Sequence, residues 1–132
     1  MIAVDSSALI AIVLDEPEKA TFMSRLKQAD RVLVSPATIV EARLVAYRRG
    51  GDVLVALLDD LIETFGMAII PPGPDEIAAA HAAFVAYGKG GGHPAQLNFG
   101  DLFSYALAKV RGLPLLFKGD DFGHTDIEQA AA

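Results

Sequence analysis

Four short apolar runs, Ile2-Ala3-Val4, Val32-Leu33-Val34, Met67-Ala68-Ile69-Ile70 and Leu115-Leu116-Phe117, punctuate the chain, and stretches with helical periodicity lie between them. Each run is too short to be a buried helix. Each is also continuously apolar, as strands are when both faces of a sheet are covered. Strands that alternate with helices predict a parallel sheet, because a parallel pair needs a long crossover connection. Helices are expected over Ser7 to Leu14, Glu18 to Ala29, Ala37 to Arg49, Val53 to Phe65, Asp75 to Tyr87 and Phe99 to Val110. Ser35-Pro36 opens the third of these, Gly50-Gly51 ends it, and Pro71-Pro72-Gly73-Pro74 separates a strand from the fifth. The expected fold class is therefore α/β, a three-layer α/β/α arrangement with a central, mainly parallel sheet.

At 132 residues the chain is expected to form a single domain, 1–132, around one core. Hydrophobic residues make up 52% of it, yet no apolar run reaches the roughly 18 residues of a membrane-spanning helix. Met1-Ile2-Ala3-Val4-Asp5 has no basic segment before its apolar stretch, so no signal peptide is expected. The absence of cysteine excludes disulfides, thiolate metal sites and cysteine nucleophiles, in keeping with an expected cytoplasmic location. A net charge of −6 argues against binding nucleic acid by a blanket of lysine and arginine. It leaves open catalysis on nucleic acid at an acidic cluster whose cations reverse the local field.

The loops that follow parallel strands emerge at one edge of the sheet, where functional groups gather. Asp5 ends the first strand, Glu41 lies near the start of the helix after the second, Asp101 falls in the first turn of the sixth helix, and Asp120-Asp121 follow the last strand. Each acid also has a structural explanation. Asp5 can cap a helix. Asn98-Phe99-Gly100-Asp101 reads as a capping box, and Gly119-Asp120-Asp121 as a polar turn. Glu41, flanked by Val40 and Ala42, is harder to explain as a solvated glutamate. Their conjunction is more specific than any member. Gathered carboxylates repel and raise one another's pKa unless cations neutralise them, and hard oxygen donors favour Mg2+ or Mn2+. Such a centre suits phosphodiester hydrolysis by cation-activated water. Phe117 and Phe122 are expected to anchor the last turn on the core.

At these residues the chain resembles the PIN-domain ribonucleases, and more narrowly the VapC toxins of bacterial toxin-antitoxin pairs. The resemblance runs through Met1 to Ala8, Ser35 to Thr38 and on to Glu41-Ala42-Arg43, Leu97 to Asp101 with Tyr105-Ala106, and Leu115 to Phe122 followed by His124 to Ile127. Any one of these segments is weak evidence, and four in order are specific. The resemblance implies a PIN-like fold and one or two Mg2+ or Mn2+ ions surrounded by Asp5, Glu41, Asp101 and an acid of the final motif. That acid is Asp121, because the family's acid stands immediately before the phenylalanine. Asp120 becomes a neighbour in the surrounding shell, with Ser7 as a small hydroxyl near the first acid. Also implied are an RNA substrate, products with 5′-phosphate and 3′-hydroxyl ends, a small VapB-like antitoxin and a homodimer.

Arg43 and Lys118 are the expected RNA contacts, with Arg48, Arg49 and Lys89 as further candidates. His81, His93 and His124 are expected to be bystanders. A receiver-like phospho-acceptor domain has similar size and alternation, but it needs an aspartate after the third strand, where Ile70 is followed by Pro71-Pro72. A haloacid-dehalogenase-type phosphatase would carry a second acid two places after the first, and Ser7 stands there. The remaining alternative is a catalytically silent PIN-like interaction module.

Overall fold

The computed structural model describes residues 1–131. Strands β1 (Ile2–Val4), β2 (Val32–Val34), β3 (Ala68–Ile69) and β4 (Leu115–Leu116) form one parallel sheet in the order β3-β2-β1-β4. Between them run α1 (Ser6–Val13), α2 (Lys19–Gln28), α3 (Pro36–Thr64), α4 (Pro74–Tyr87) and α5 (Phe99–Arg111). A short 3-10 turn, Phe122–His124, follows β4. The expected three-layer α/β/α class is the one observed. The strands are shorter than their apolar runs at β3, where Pro71 and Pro72 lack the N–H groups to extend a ladder.

Side chains alternate across the sheet, and both faces are apolar. Ile2, Val4, Val32, Val34 and Leu116 pack with α1, α2 and α3 on one side. Ala3, Leu33, Leu115 and Phe117 pack with α4 and α5 on the other. This distribution follows from the strand order. From β1 through β2 to β3 the chain moves in one direction along the sheet; the return from β3 to β4 runs in the opposite direction. A constant crossover hand converts that reversal into a change of face. It also makes β1 and β4 neighbours at a topological switch point, where the loops beyond their carboxyl ends diverge.

The long helix α3 is two helices. Gly50 (φ −159°, ψ 17°) and Gly51 (φ 66°, ψ −155°) interrupt it, and the second conformation is one that essentially only glycine adopts. Arg43 and Asp59 would be about 24 Å apart on a straight helix, at about 1.5 Å per residue. They instead meet at 3.2 Å, so the chain folds back into a helical hairpin. The expected stop at Gly50-Gly51 is thus a reversal, with the two arms close to the two helices expected there.

Glu128, Gln129 and Ala130 cover the free edge of β4. Leu115 donates its N–H to Glu128 O at 2.9 Å, and its carbonyl accepts from Ala130 N at 2.9 Å. Asp126 fastens the segment to α5 by accepting from Tyr105 at 2.7 Å and from Lys109 at 2.6 Å. An edge that would otherwise present unpaired backbone groups is closed within the chain. Among the described residues no helix is long and apolar enough to cross a membrane.

Candidate active site

The carboxyl edge of the sheet gathers acids from four elements. Asp5 stands directly after β1, only 2% exposed, and a buried carboxylate is costly unless hydrogen bonds compensate it. Its Oδ2 accepts from Ser7 N at 3.0 Å, which caps α1, and from Ser7 Oγ at 2.6 Å. Its Oδ1 accepts from Ser104 Oγ at 2.5 Å. Ser7 Oγ in turn accepts from Lys118 N at 3.0 Å, which ties the residue after β1 to the residues after β4. The capping role foreseen for Asp5 is therefore real, and it occupies one carboxylate oxygen.

Asp101 shows the same economy. Asn98 Oδ1 accepts from Asp101 N and Asp101 Oδ2 accepts from Asn98 N, both at 3.0 Å, so the expected capping box is formed at the start of α5. Glu41, on the first arm of α3, accepts from Ser6 Oγ at 2.6 Å through Oε1. Its carboxylate lies so close to Gly100 that a Cβ at that position would collide with Oε2, so the glycine lets α5 approach the acid. Asp121 opens the 3-10 turn after β4 and is exposed. Phe117 and Phe122 are both buried, with ring centroids 5.2 Å apart, and they pin that turn to the core as expected.

Electrostatics shows that these acids share one neighbourhood. Burial pushes the Asp101 carboxyl up to about 7 against the pull of its hydrogen bond from Asn98 N, and the charges of Asp5, Asp121 and Glu41 push it further the same way. Asp120 is exposed, and its carbonyl accepts from Gly123 N. Among the described residues, no three Asp, Glu or His side chains are arranged to hold an ion as they stand. Asp5, Glu41 and Asp101 each accept from their own hydroxyl or amide donors. The donor set, four carboxylates with serine hydroxyls around them, has the hard-oxygen chemistry suited to Mg2+ or Mn2+.

Several residues of this site escaped the sequence reading. Ser104 lies one helical turn beyond Asp101, and Thr38 one turn before Glu41. Those i, i+3 spacings are the only signals that could have found them. Thr38 Oγ1 and Ser104 Oγ are 3.1 Å apart and both buried. Ser6 and Gly100 lie within the segments that carry the resemblance, but their contacts with Glu41 were not foreseen.

Both expected RNA contacts are engaged in ion pairs. Arg43 is paired with Asp59 at 3.2 Å across the α3 hairpin. Lys118 Nζ lies 3.2 Å from both Glu16 and Glu18, and the Glu16 hydrogen bond holds its pKa above the ordinary lysine value. Its ammonium clamps the β4 loop to the segment between α1 and α2. Of the histidines, His93 accepts from Ala95 N at 3.1 Å and packs edge-on to Tyr87, while His81 and His124 are exposed.

This arrangement of a four-stranded parallel sheet with acids at its switch point coincides with known proteins. The PIN domain family model matches residues 2–128. Ribonuclease VapC28 of Mycobacterium tuberculosis is 43% identical over 127 residues, covering 96% of this chain and 96% of that protein. Ribonuclease VapC30 of the same organism is 43% identical over 129 residues, 97% of each. The chain belongs to the PIN-domain family, among the VapC ribonucleases. Among solved structures, the VapC20 toxin of M. tuberculosis, described as cleaving the sarcin-ricin loop, superposes with a TM-score of 0.80 at 17% identity over the full length of both chains. A toxin-antitoxin complex from Klebsiella pneumoniae gives 0.69 at 18% identity over 92% of this chain and 90% of that one. At such identities these likenesses speak to the fold.

The raised Asp101 value has a direct consequence for stability. A carboxyl whose folded pKa exceeds its unfolded value near 3.8 contributes stability that is complete below about pH 4 and lost as pH rises through about 7. In metal-free protein, Asp101→Asn is therefore expected to gain thermal stability relative to the natural chain as pH is raised from 4 to 8. Parallel pH profiles of Tm for the two proteins would contradict the assignment.

Proposed function

We propose that the chain, working as a single cytoplasmic domain over residues 1–132, is the ribonuclease toxin of a toxin-antitoxin pair. It hydrolyses RNA phosphodiester bonds with Mg2+ or Mn2+ held by Asp5, Glu41, Asp101 and Asp121. The observation that carries this reading is the gathering of the acids at the carboxyl edge of the sheet, with Glu41 against Gly100 at the start of α5 and Asp5 tied to the β4 loop through Ser7 and Lys118 N. Carboxylates brought together from separate elements without a counter-charge are stabilised in ionised form by a divalent cation. The names of the relatives, ribonucleases along nearly the whole chain, support RNA as substrate.

Bound there, the cation supplies positive charge to a phosphate oxygen and acidifies water. The chain's own groups do the rest. Asp5 is held by Ser7 and Ser104, and Glu41 is seated by Ser6 against Gly100, so each carboxylate has one defined starting position. Asp101 is held by its capping box. Asp121, exposed at the rim, is the member free to take a proton from the water that attacks phosphorus. Asp120 stands beside it without sharing that role. Among the described residues Arg48, Arg49 and Lys89 make no ion pair, and they suit RNA phosphates better than the paired Arg43 and Lys118.

A small VapB-like antitoxin and a second copy of the chain are the proposed protein partners. The dimer reading is supported by the apolar groove between the first arm of α3 and the start of α5, where Val40 (56% exposed), Leu44 (63%) and Phe99 (77%) stand open to solvent beside Phe103. Light scattering that finds only monomer at micromolar concentration would overturn it.

The function is tested by incubating the partner-free protein with RNA and Mn2+, with and without chelator. The natural chain is expected to cleave, and Asp5→Asn, Asp101→Asn and Asp121→Asn to fall on the order of 100-fold or more, beyond what loss of an outer partner costs a metal site. Asp120→Asn is expected to remain close to the natural rate. Failure of the natural chain to cleave structured and unstructured RNA alike would favour a silent interaction module. Loss of activity in Asp120→Asn but not Asp121→Asn would reassign the fourth acid.

A further inference from the structure

The buried face of α5 contains one residue that packing alone does not ask for. Leu102, Tyr105, Ala106, Leu107 and Ala108 surround Ser104, which is 0% exposed. Serine is a poorer helix former than alanine or leucine, and a buried hydroxyl is costly unless it is bonded. Ser104 is bonded twice: it donates its single proton to Asp5 Oδ1, so in its 3.1 Å contact with Thr38 Oγ1 it must be the acceptor. The result is a directed chain of hydroxyls, Thr38 to Ser104 to Asp5, that joins α3, α5 and the end of β1. Thr38 is 1% exposed and Asp5 2%, so water has little access to replace any link. Each donor in such a chain polarises the next.

The two oxygens of Asp5 are unequal. An ionised carboxylate offers about four acceptor positions, two on each oxygen. Ser7 N and Ser7 Oγ take both positions on Oδ2, whereas Ser104 takes one on Oδ1. The acceptor capacity left on this buried acid is therefore on Oδ1, the atom that Ser104 holds.

We propose that Ser104 is a positioning residue for Asp5: its hydroxyl, fixed by Thr38, aims Oδ1 as the oxygen that ligates the divalent cation. This rests on the reading of the acids as a cation site. Ser104 and Thr38 touch neither cation nor substrate; they act through Asp5, by holding one rotamer and directing one lone pair.

Thr38 supplies a clean pair of variants. Thr38→Val keeps the shape and removes the hydroxyl, while Thr38→Ser keeps the hydroxyl and removes a methyl from a packed interior. The measurement is Mn2+ affinity of the purified full chain without RNA, by calorimetry or electron paramagnetic resonance, with metal-free Tm as the control for folding. Ser104→Ala is expected to weaken Mn2+ binding about 10- to 100-fold, the range typical of partners that orient a metal ligand, with Thr38→Val near the low end and Thr38→Ser within about twofold of the natural chain. A purely packing role reverses the Thr38 pair, and that result would overturn the proposal. Natural affinity in both Ser104→Ala and Thr38→Val, with Asp5→Asn abolishing binding, would reject the positioning role and leave the cation site standing. Natural Mn2+ affinity in Asp5→Asn would remove the cation site at Asp5 and the proposal with it. Should Ser104→Ala fail to fold, the Thr38 pair decides alone.

Discussion

A carboxylate sealed at the end of the central strand organises this molecule. Asp5 can be buried only because three donors meet it: two from Ser7 and one from Ser104. Ser7 also receives Lys118 N from beyond β4, and Ser104 is bonded to Thr38 on α3. Compensation of one charge therefore fixes the relative placement of β1, α1, α3, α5 and the β4 loop. Removing any one donor would leave a buried carboxylate oxygen short of a partner, which is among the more expensive defects a small domain can carry.

Topology explains why the acids meet. The strand order places β4, which comes last in the chain, beside β1, which comes first, so Asp5 and Asp121 leave the sheet from adjacent strands at the switch point. The α3 hairpin begins directly after β2 and brings Glu41 to the same edge. Helix α5 then presents Asp101 and Ser104 on one face, a turn apart. Gly100 keeps that face free of a side chain that would dislodge Glu41. In both Asp5 and Asp101 the oxygen engaged in the helix cap is Oδ2, which leaves Oδ1 outside the cap.

Much of this was legible in the sequence, for identifiable reasons. Continuous apolar runs marked β1, β2 and β4, which are buried, and also β3, which is covered only in part with Ile69 53% exposed; the Pro and Gly punctuation around α3 and α4 marked their ends within a residue or so. The acids stood out because four carboxylates at four strand or helix ends are improbable as independent caps. Hydroxyl partners were not legible, since a serine on an apolar helix face declares its role only when a partner from another element reaches it. The pairing of Lys118 with Glu16 and Glu18 was hidden for the same reason, as was that of Arg43 with Asp59. So was the return of the final residues onto β4, where polar Asp126 and Gln129 supply the anchors and no hydrophobic periodicity announces a strand.

Whether Asp5, Glu41, Asp101 and Asp121 form one cation centre at the switch point is decided by anomalous diffraction from crystals of the partner-free protein grown with Mn2+. One or two manganese peaks are expected, bounded by these four carboxylates, with Asp5 Oδ1 among the ligating atoms and Asp120 outside the coordination. Manganese located away from Asp5 and Asp101 while these keep only their serine and asparagine partners would contradict the shared centre.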